Sequence, residues 1–175
     1  MKILTRAPTR VDLAGGTLDI WPLYLFHEDS QTINFAIALY ARSTIEPRRD
    51  SHIHLVSRDL GVQENFPNVG ELIKADSYKL PLLCRLIRFF VPHQGFTLTT
   101  ESEAPAGAGI AGSSAMNIAT CGALNQFTQA RFPKHKLLEI ARNVEAQVIR
   151  VPTGDQDFYP ATYGGVNAIR LTPGG

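Results

Sequence analysis

The sequence predicts an α+β domain in which helices pack on a sheet. Strand-like runs come mostly before helical ones, the order of an α+β layer rather than of a doubly wound sheet. With 175 residues, 44% of them hydrophobic, the chain can bury one sizeable core, and its length argues for one domain rather than two.

The elements follow from local pattern. Lys2 to Leu13 reads as an alternating strand that ends in Gly15-Gly16, with Asp19 placed just before a short apolar stretch that reads as a helix start at Trp21. Strand-like segments recur at Gln31 to Ile45, His52 to Val56 and Gly95 to Thr100. Asp76 to Val91 has the helical period, with Leu80, Leu83, Leu86, Ile87 and Phe90 on one face and arginines between them. Ser113 to Gln129 and Lys134 to Ile149 repeat that period, the second through Leu137, Leu138, Ile140, Ala141 and Val144, and Tyr163 to Leu171 returns to strand. No repeat, linker or low-complexity run interrupts the series.

Composition removes several function classes. Seventeen Lys and Arg against 16 Asp and Glu leave a net charge of +1, and Arg48-Arg49 is too short for a basic patch, so neither nucleic acid nor an acidic membrane is an expected partner. The most apolar window, Leu80 to Val91, is too short to span a bilayer and carries Arg85 and Arg88; with no signal peptide at its start, the chain is expected to be soluble and cytoplasmic. Cys84 and Cys121 lie in apolar helical runs without metal-ligand spacing and read as reduced core residues. His27, His52, His54, His93 and His135 form no ligand constellation.

The segment from Ala104 to Ala115 holds three glycines and two serines between a strand-like and a helical run, and reads as an anion cradle. Glycines let the backbone turn sharply beside a ligand, while the free N–H groups and dipole of the following helix favour a phosphate. Gly107, Gly109 and Gly112 satisfy the dinucleotide spacing, yet the region where an acidic ribose ligand would stand, roughly 20 residues on, offers neither a strand nor an acid. A P-loop is excluded because Ser113 occupies the lysine position. There remain a glycine turn and two hydroxyls, Ser113 and Ser114, suited to a phosphate oxygen or its metal, or else a small-residue turn that only caps a buried helix.

Two further segments carry polar groups in apolar surroundings: Arg10, Asp12 and Asp19 near the amino terminus, and Gly154-Asp-Gln-Asp157 ahead of Gly164-Gly165. In this order the three segments resemble the GHMP kinase superfamily, the galactokinase, homoserine kinase, mevalonate kinase and phosphomevalonate kinase group. Ala7-Pro-Thr-Arg-Val-Asp-Leu-Ala-Gly15 resembles the A-P-x-R-[VI]-[ND]-L-x-G signature, and Gly15-Gly-Thr-Leu-Asp19 is similar to the heptose kinase and fucokinase branch. Pro105 to Ala115 resembles P-x-G-x-G-L-G-S-S-A, one residue longer because Ile110-Ala111-Gly112 stands in place of Leu-Gly. Gly154-x-Gln156-Asp157 and Tyr163-Gly-Gly-Val-Asn167 resemble the G-x-Q-D and [FY]-G-G-x-N pair of the same sugar kinases.

The resemblance implies an amino-terminal domain similar to the second domain of ribosomal protein S5, a mixed sheet with helices on it, here over residues 1–175, with the carboxyl-terminal domain and its glycine-rich loop lying outside this chain. It implies phosphoryl transfer from ATP, with Mg2+, to a hydroxyl of a sugar or sugar phosphate. Asp157 is then the catalytic base, with Asp155 as competitor, and Arg10 the cation that keeps the base ionised. Pro105, Gly107, Gly109, Gly112, Ser113 and Ser114 would hold ATP, Ser114 and Glu145 the Mg2+, and Gly16, Thr17, Asp19, Gly164 and Gly165 the acceptor. Trp21 is either a ring on which a sugar stacks or, as is commoner at a helix start, a packing residue.

Two classes of function stay open: a kinase for a heptose phosphate or a fucose-like sugar, and a truncated or non-catalytic module that binds ligand without turnover. Within the first, a mevalonate- or homoserine-type alcohol is the alternative acceptor, and a homodimer is left open.

Overall fold

The computed structural model describes residues 1–105 and 107–172, without the side chain of Thr17. Six strands, β1 (Ile3–Ala14), β2 (Gln31–Pro47), β3 (Ile53–Ser57), β4 (Val62–Phe66), β5 (Phe96–Ser102) and β6 (Val166–Arg170), form one mixed sheet. Along its main path the order is β1-β2-β5-β3-β4, antiparallel except for the parallel β3–β5 pair. Strand β2 is long enough to pair with β5 through residues 41–47 and with β6 through residues 31–35. Among the described residues, five α-helices accompany the sheet: α1 (Val69–Lys74), α2 (Pro81–Phe90), α3 (Gly112–Thr128), α4 (Lys134–Ile149) and α5 (Phe158–Tyr163).

The main core joins Ile45, Ile53, Leu55, Phe96 and Leu98 of the sheet to Leu72 of α1, Leu86 and Ile87 of α2, Leu124 of α3, Leu138 of α4 and Phe158 of α5, all buried. Cys84 and Cys121 belong to it as free thiols, and burial pushes both well above the usual thiol range, as expected of inert core residues. A second cluster is made, apart from Met116, of small side chains, Ala7 and Ala41 of the sheet against Ala115 and Ala119 of α3 and Ala161 of α5. Small residues let α3 lie close on β1 and β2, and Thr5 Oγ1 donates to the Ala119 carbonyl at 2.6 Å. This close approach brings the first turn of α3 beside the middle of β1.

Three departures from the sequence pattern have local causes. The helical period begins at Asp76, but α2 starts at Pro81: proline suits a first-turn position, and the Glu64 carboxylate accepts the N–H groups of Lys79 and Leu80 at 3.0 and 2.9 Å. The hairpin strand β4 and the one-and-a-half-turn helix α1 are too short to give a period; α1 is fixed by its cap, Asn68 Oδ1 accepting the Glu71 N–H at 2.9 Å. Two short 3-10 helices, Gly16–Asp19 and Leu23–Phe26, replace the helix read from Trp21.

Candidate active site

Arg10 is the centre of the site. It lies on β1, opposite Ala36, between two register shifts that fall at Pro8/Thr9 and at Asp12/Ala14. Such bulges re-aim side chains locally. Only 8% exposed, its guanidinium makes four polar contacts. Nε and Nη2 both donate to Asp157 Oδ1, at 2.8 and 2.5 Å, while Nη1 donates to Asp12 Oδ2 at 2.9 Å and to the Gly109 carbonyl at 3.0 Å. The Arg10 backbone N–H adds a bond to the Ile110 carbonyl at 3.1 Å. One side chain thus ties the glycine turn to the carboxylate ahead of α5.

Gly107 and Gly109 both have positive φ, +75° and +69°, and open space lies where a Cβ would stand. Ala111 completes the turn in the left-handed region, φ 60°, as the N-cap of α3, with no side chain capping the helix. The first N–H groups of an α-helix have no intrahelical acceptor, so those of Gly112, Ser113 and Ser114 are available to a ligand. Ser113 Oγ donates to Glu145 Oε1 at 3.0 Å and Ser114 Oγ to Glu145 Oε2 at 3.2 Å. Asn117, fully buried one turn further along α3, donates to Glu145 Oε2 at 3.4 Å and to the Ala141 carbonyl at 2.8 Å. It locks α3 to α4 behind the carboxylate. Its signal in the sequence is an amide on an otherwise small and apolar helix face.

From the glycine turn a cleft of 790 Å³ runs between the β3–β4 turn and the start of α2. Pro105, Gly107, Gly109, Gly112 and Ser113 line one end, and Leu60, Leu80, Leu82 and Met116, with the charged Asp59, Lys79 and Glu103, are among the residues that line the rest. An apolar cleft of this size beside a phosphate cradle has the chemistry of a nucleoside phosphate site. The residues present therefore fit ATP; Ser114 and Glu145, which carry hard oxygens of the kind Mg2+ prefers, do not line the cleft themselves but meet it through Ser113, whose hydroxyl bonds Glu145. Among the described residues, no three His, Cys, Asp or Glu side chains cluster as a metal site.

Asp19 stands on the other side of Asp157. Its side chain is almost fully buried, and Oδ2 accepts the Gln156 N–H at 2.8 Å. Burial pushes this carboxyl up to about 6, against the pull of backbone N–H bonds from Gln156 and Asp155. Gln156 Nε2 donates to the Gly16 carbonyl at 3.0 Å and Asn34 Nδ2 to the Gln156 carbonyl at 2.8 Å, so Gln156 clamps the two loops together. Gly154 is required here, because a Cβ would overlap Asp19 Oδ2. A second cavity, of 370 Å³, is walled by Asp19, Trp21, Tyr24, Arg142, Asp155 and Tyr159. Trp21 is 57% exposed on that wall and so is not a core packing residue.

Of the site residues read from the sequence, Arg10 bonds Asp157 and Gly109, Ser113 and Ser114 bond Glu145, and Asp19 and Gly16 are both held by Gln156, although Arg10, Gly16, Ser114, Glu145 and Asp157 line neither cavity. Three of the expected residues take other roles. Asp155 lines the second cavity with Asp19 but makes no bond to Arg10; it pairs instead with Arg142 of α4, with Nη1 to Oδ1 at 2.6 Å. Gly164 and Gly165, expected against the acceptor, line neither cavity; with φ of +69° and +65° they shape the turn from α5 into β6, where Asn167 and Ala36 bond their carbonyls. The Thr17 side chain lies outside the described residues.

A family model for the N-terminal domain of GHMP kinases matches residues 77–165. The chain belongs to the GHMP kinases. Within this family it is 30% identical over 173 residues to the D-glycero-alpha-D-manno-heptose 7-phosphate kinase of Campylobacter jejuni, covering 97% of this chain and 50% of that protein. To the L-fucokinase/L-fucose-1-P guanylyltransferase of Bacteroides fragilis it is 26% identical, over 97% of this chain and 20% of that one. The chain thus spans half or less of these two relatives. A solved D-glycero-D-manno-heptose 1-phosphate kinase from Bacteroides thetaiotaomicron superposes with a TM-score of 0.77 at 28% identity, covering 96% of this chain and 55% of that one. The mevalonate kinase of Methanococcus jannaschii, at 20% identity, shares the fold, with a TM-score of 0.82 over 97% of this chain and 54% of its own. The mixed sheet with helices on it is therefore the GHMP kinase fold. Among the described residues no helix is long and apolar enough to cross a membrane.

Proposed function

We propose that this chain is the nucleotide- and acceptor-binding domain of an ATP- and Mg2+-dependent cytoplasmic kinase that phosphorylates a hydroxyl of a sugar or sugar phosphate, a heptose phosphate or a fucose-like sugar. The observation that carries this reading is the single guanidinium, Arg10, bonded at once to Asp157 and to the Gly109 carbonyl of the anion cradle. Phosphoryl transfer needs an acceptor oxygen and a bound phosphate in fixed relation, with positive charge near both.

ATP supplies the phosphoryl group, and Mg2+ neutralises its phosphates. The N–H groups at the start of α3 and the hydroxyl of Ser113 would hold phosphate oxygens, while Ser114 and Glu145 would hold the metal. Asp19 accepts acceptor hydroxyl protons and fixes the sugar against the loop of Gly154. Asp157 orients the reacting hydroxyl and takes its proton as that oxygen becomes nucleophilic. Arg10 supports the carboxylate throughout. Asp155, engaged by Arg142, is the weaker candidate for the base.

The test is isothermal titration of the chain with ATP and Mg2+, repeated with Ser114→Ala, followed by a sugar and sugar-phosphate panel with Asp157→Asn as the inactive control. Magnesium-dependent binding weakened by Ser114→Ala, and turnover lost in Asp157→Asn, are the expected results. A folded chain that binds no nucleotide would support instead a module without turnover.

A further inference from the structure

Asp12 is the one charged residue around Arg10 that has no part in the reading above, and its surroundings are unusual. Its Oδ2 takes the Nη1 of Arg10 at 2.9 Å, while its Oδ1 is buried without a hydrogen-bond partner. Burial pushes its carboxyl up, the nearby Arg10 pulls it down and the Asp157 charge pushes it up again. A carboxylate with one orphaned oxygen is costly to bury. Two features keep it in place. The register shift between Asp12 and Ala14 re-aims the end of β1, and Gly16 leaves room where a Cβ would stand 3.0 Å from Asp12 Oδ2.

The effect of Asp12 is visible in how Arg10 meets Asp157. An arginine facing a lone carboxylate pairs with it fork to fork, two nitrogens on two oxygens. Here Nε and Nη2 converge on Oδ1 alone, and no hydrogen bond among the described residues reaches Asp157 Oδ2. Nη1, the remaining corner of the guanidinium, is held off by Asp12 and the Gly109 carbonyl.

We propose that Asp12 is a positioning residue: by holding Arg10 Nη1 it prevents fork-to-fork pairing and so keeps Asp157 Oδ2 free to receive the acceptor proton. This inference rests on the assignment of Asp157 as base. Without Asp12 the guanidinium turns until it covers both oxygens, the base is blocked, and Nη1 leaves the Gly109 carbonyl. Asn at position 12 retains an acceptor oxygen for Nη1 and keeps most of the geometry.

The experiment has two arms on the full chain. In the first, crystal structures of Asp12→Ala and Asp12→Asn are compared with the parent. The expected result is an Arg10 nitrogen within hydrogen-bond distance of Asp157 Oδ2 in Asp12→Ala only; an unchanged guanidinium there overturns the proposal. In the second, phosphorylation of the best acceptor from the panel is followed. A misplaced catalytic group costs rate more than affinity, so kcat should fall about tenfold or more in Asp12→Ala, about threefold or less in Asp12→Asn, with KM values within about twofold. A rise in KM with kcat intact, or equal loss in both variants, overturns it. If the parent chain turns over no acceptor, the reading of a module without turnover is favoured for this chain alone, and the first arm still decides whether Asp12 holds Arg10.

Discussion

Asp19 provides a measurable link between burial and function. Its carboxyl is raised from an ordinary value of 3.8 to about 6, chiefly by burial, with the charges of Asp155 and Asp157 adding to the rise. A group whose folded-state value lies above its unfolded one takes up a proton on folding. Its contribution to stability is therefore full below the unfolded value and is lost as pH rises through the folded value. The separation corresponds to a ceiling of about 3 kcal/mol between low and high pH, of which about 1.4 kcal/mol falls between pH 5 and 7.5. Asp19→Asn removes the titration while retaining an oxygen for the Gln156 N–H. Urea unfolding of both proteins across this range isolates the residue: the parent's stability relative to Asp19→Asn should decline by about 1.4 kcal/mol from pH 5 to 7.5. A flat difference, within about 0.3 kcal/mol, would refute the argument from burial. The same titration bears on the acceptor. At pH 5 only about a tenth of Asp19 is ionised, so sugar affinity should be about tenfold weaker than at pH 7.5 if the carboxylate is the binding form.

Other substitutions separate close packing from chemistry. Gly154→Ala would place its Cβ against Asp19 Oδ2 and 2.8 Å from the Asp19 carbonyl oxygen, and should lower stability in urea by about 2 kcal/mol or more. Gly122→Ala is its counterpart, with only Thr5 Cγ2 at 3.6 Å; in the middle of α3 it should raise stability by about 0.5–1 kcal/mol. Ala111→Gly relieves a left-handed alanine at φ 60° and should stabilise the chain slightly, by less than about 1 kcal/mol once the added freedom of the unfolded glycine is set against it. Glu145→Gln should weaken ATP binding by about tenfold in the presence of Mg2+ and leave metal-free binding nearly unchanged, as titration with and without chelator would read. An equal loss in both conditions would make Glu145 a packing partner of Ser113 and Ser114 only.

How far the molecule is legible in its sequence varies with the range of the forces involved. Helix α4 runs over the predicted residues 134–149 because its apolar period is long and unbroken. The start of α2 was masked by apolar residues ahead of Pro81; its true boundary depends on Glu64, a residue of another element. Helix α5, at six residues with a proline inside, has too little period to find. In the site, Arg10, Asp19, Ser114 and Asp157 stand out because each sits in or beside a local pattern of glycine and polar residues, whereas Glu145, on a helix without glycine, is reached only through the resemblance to the family. Gln156 is legible as part of a motif but its role is not, and Asn117 is not read at all, because their roles are contacts: Gln156 joins loops 140 residues apart in sequence, and Asn117 reaches across to α4. Gly164 and Gly165 show the converse, since a glycine pair announces a turn and says nothing of what the turn faces.

The arrangement explains why β1 carries so much polar function. Strand β1 lies at the edge of the sheet, hydrogen-bonded to β2 along nearly its whole length, so it offers alternate side chains to one face with little freedom, and α3 lies close on that face because Ala7, Ala41, Ala115 and Ala119 are small. The glycine turn is thereby fixed against β1, with the Arg10 backbone N–H on the Ile110 carbonyl and its side chain on Gly109. The carboxylate loop before α5 is fixed to the same strand by Asp157, and to the segment after it by Gln156 on Gly16. Widening the contact at Ala119, as with Ala119→Val, should therefore move the cradle relative to Asp157 without touching either. Its expected signature is a stability loss of about 1–3 kcal/mol from overpacking, together with weaker nucleotide binding. Overpacking that lowered stability but left nucleotide affinity unchanged would show that the cradle does not depend on this seam.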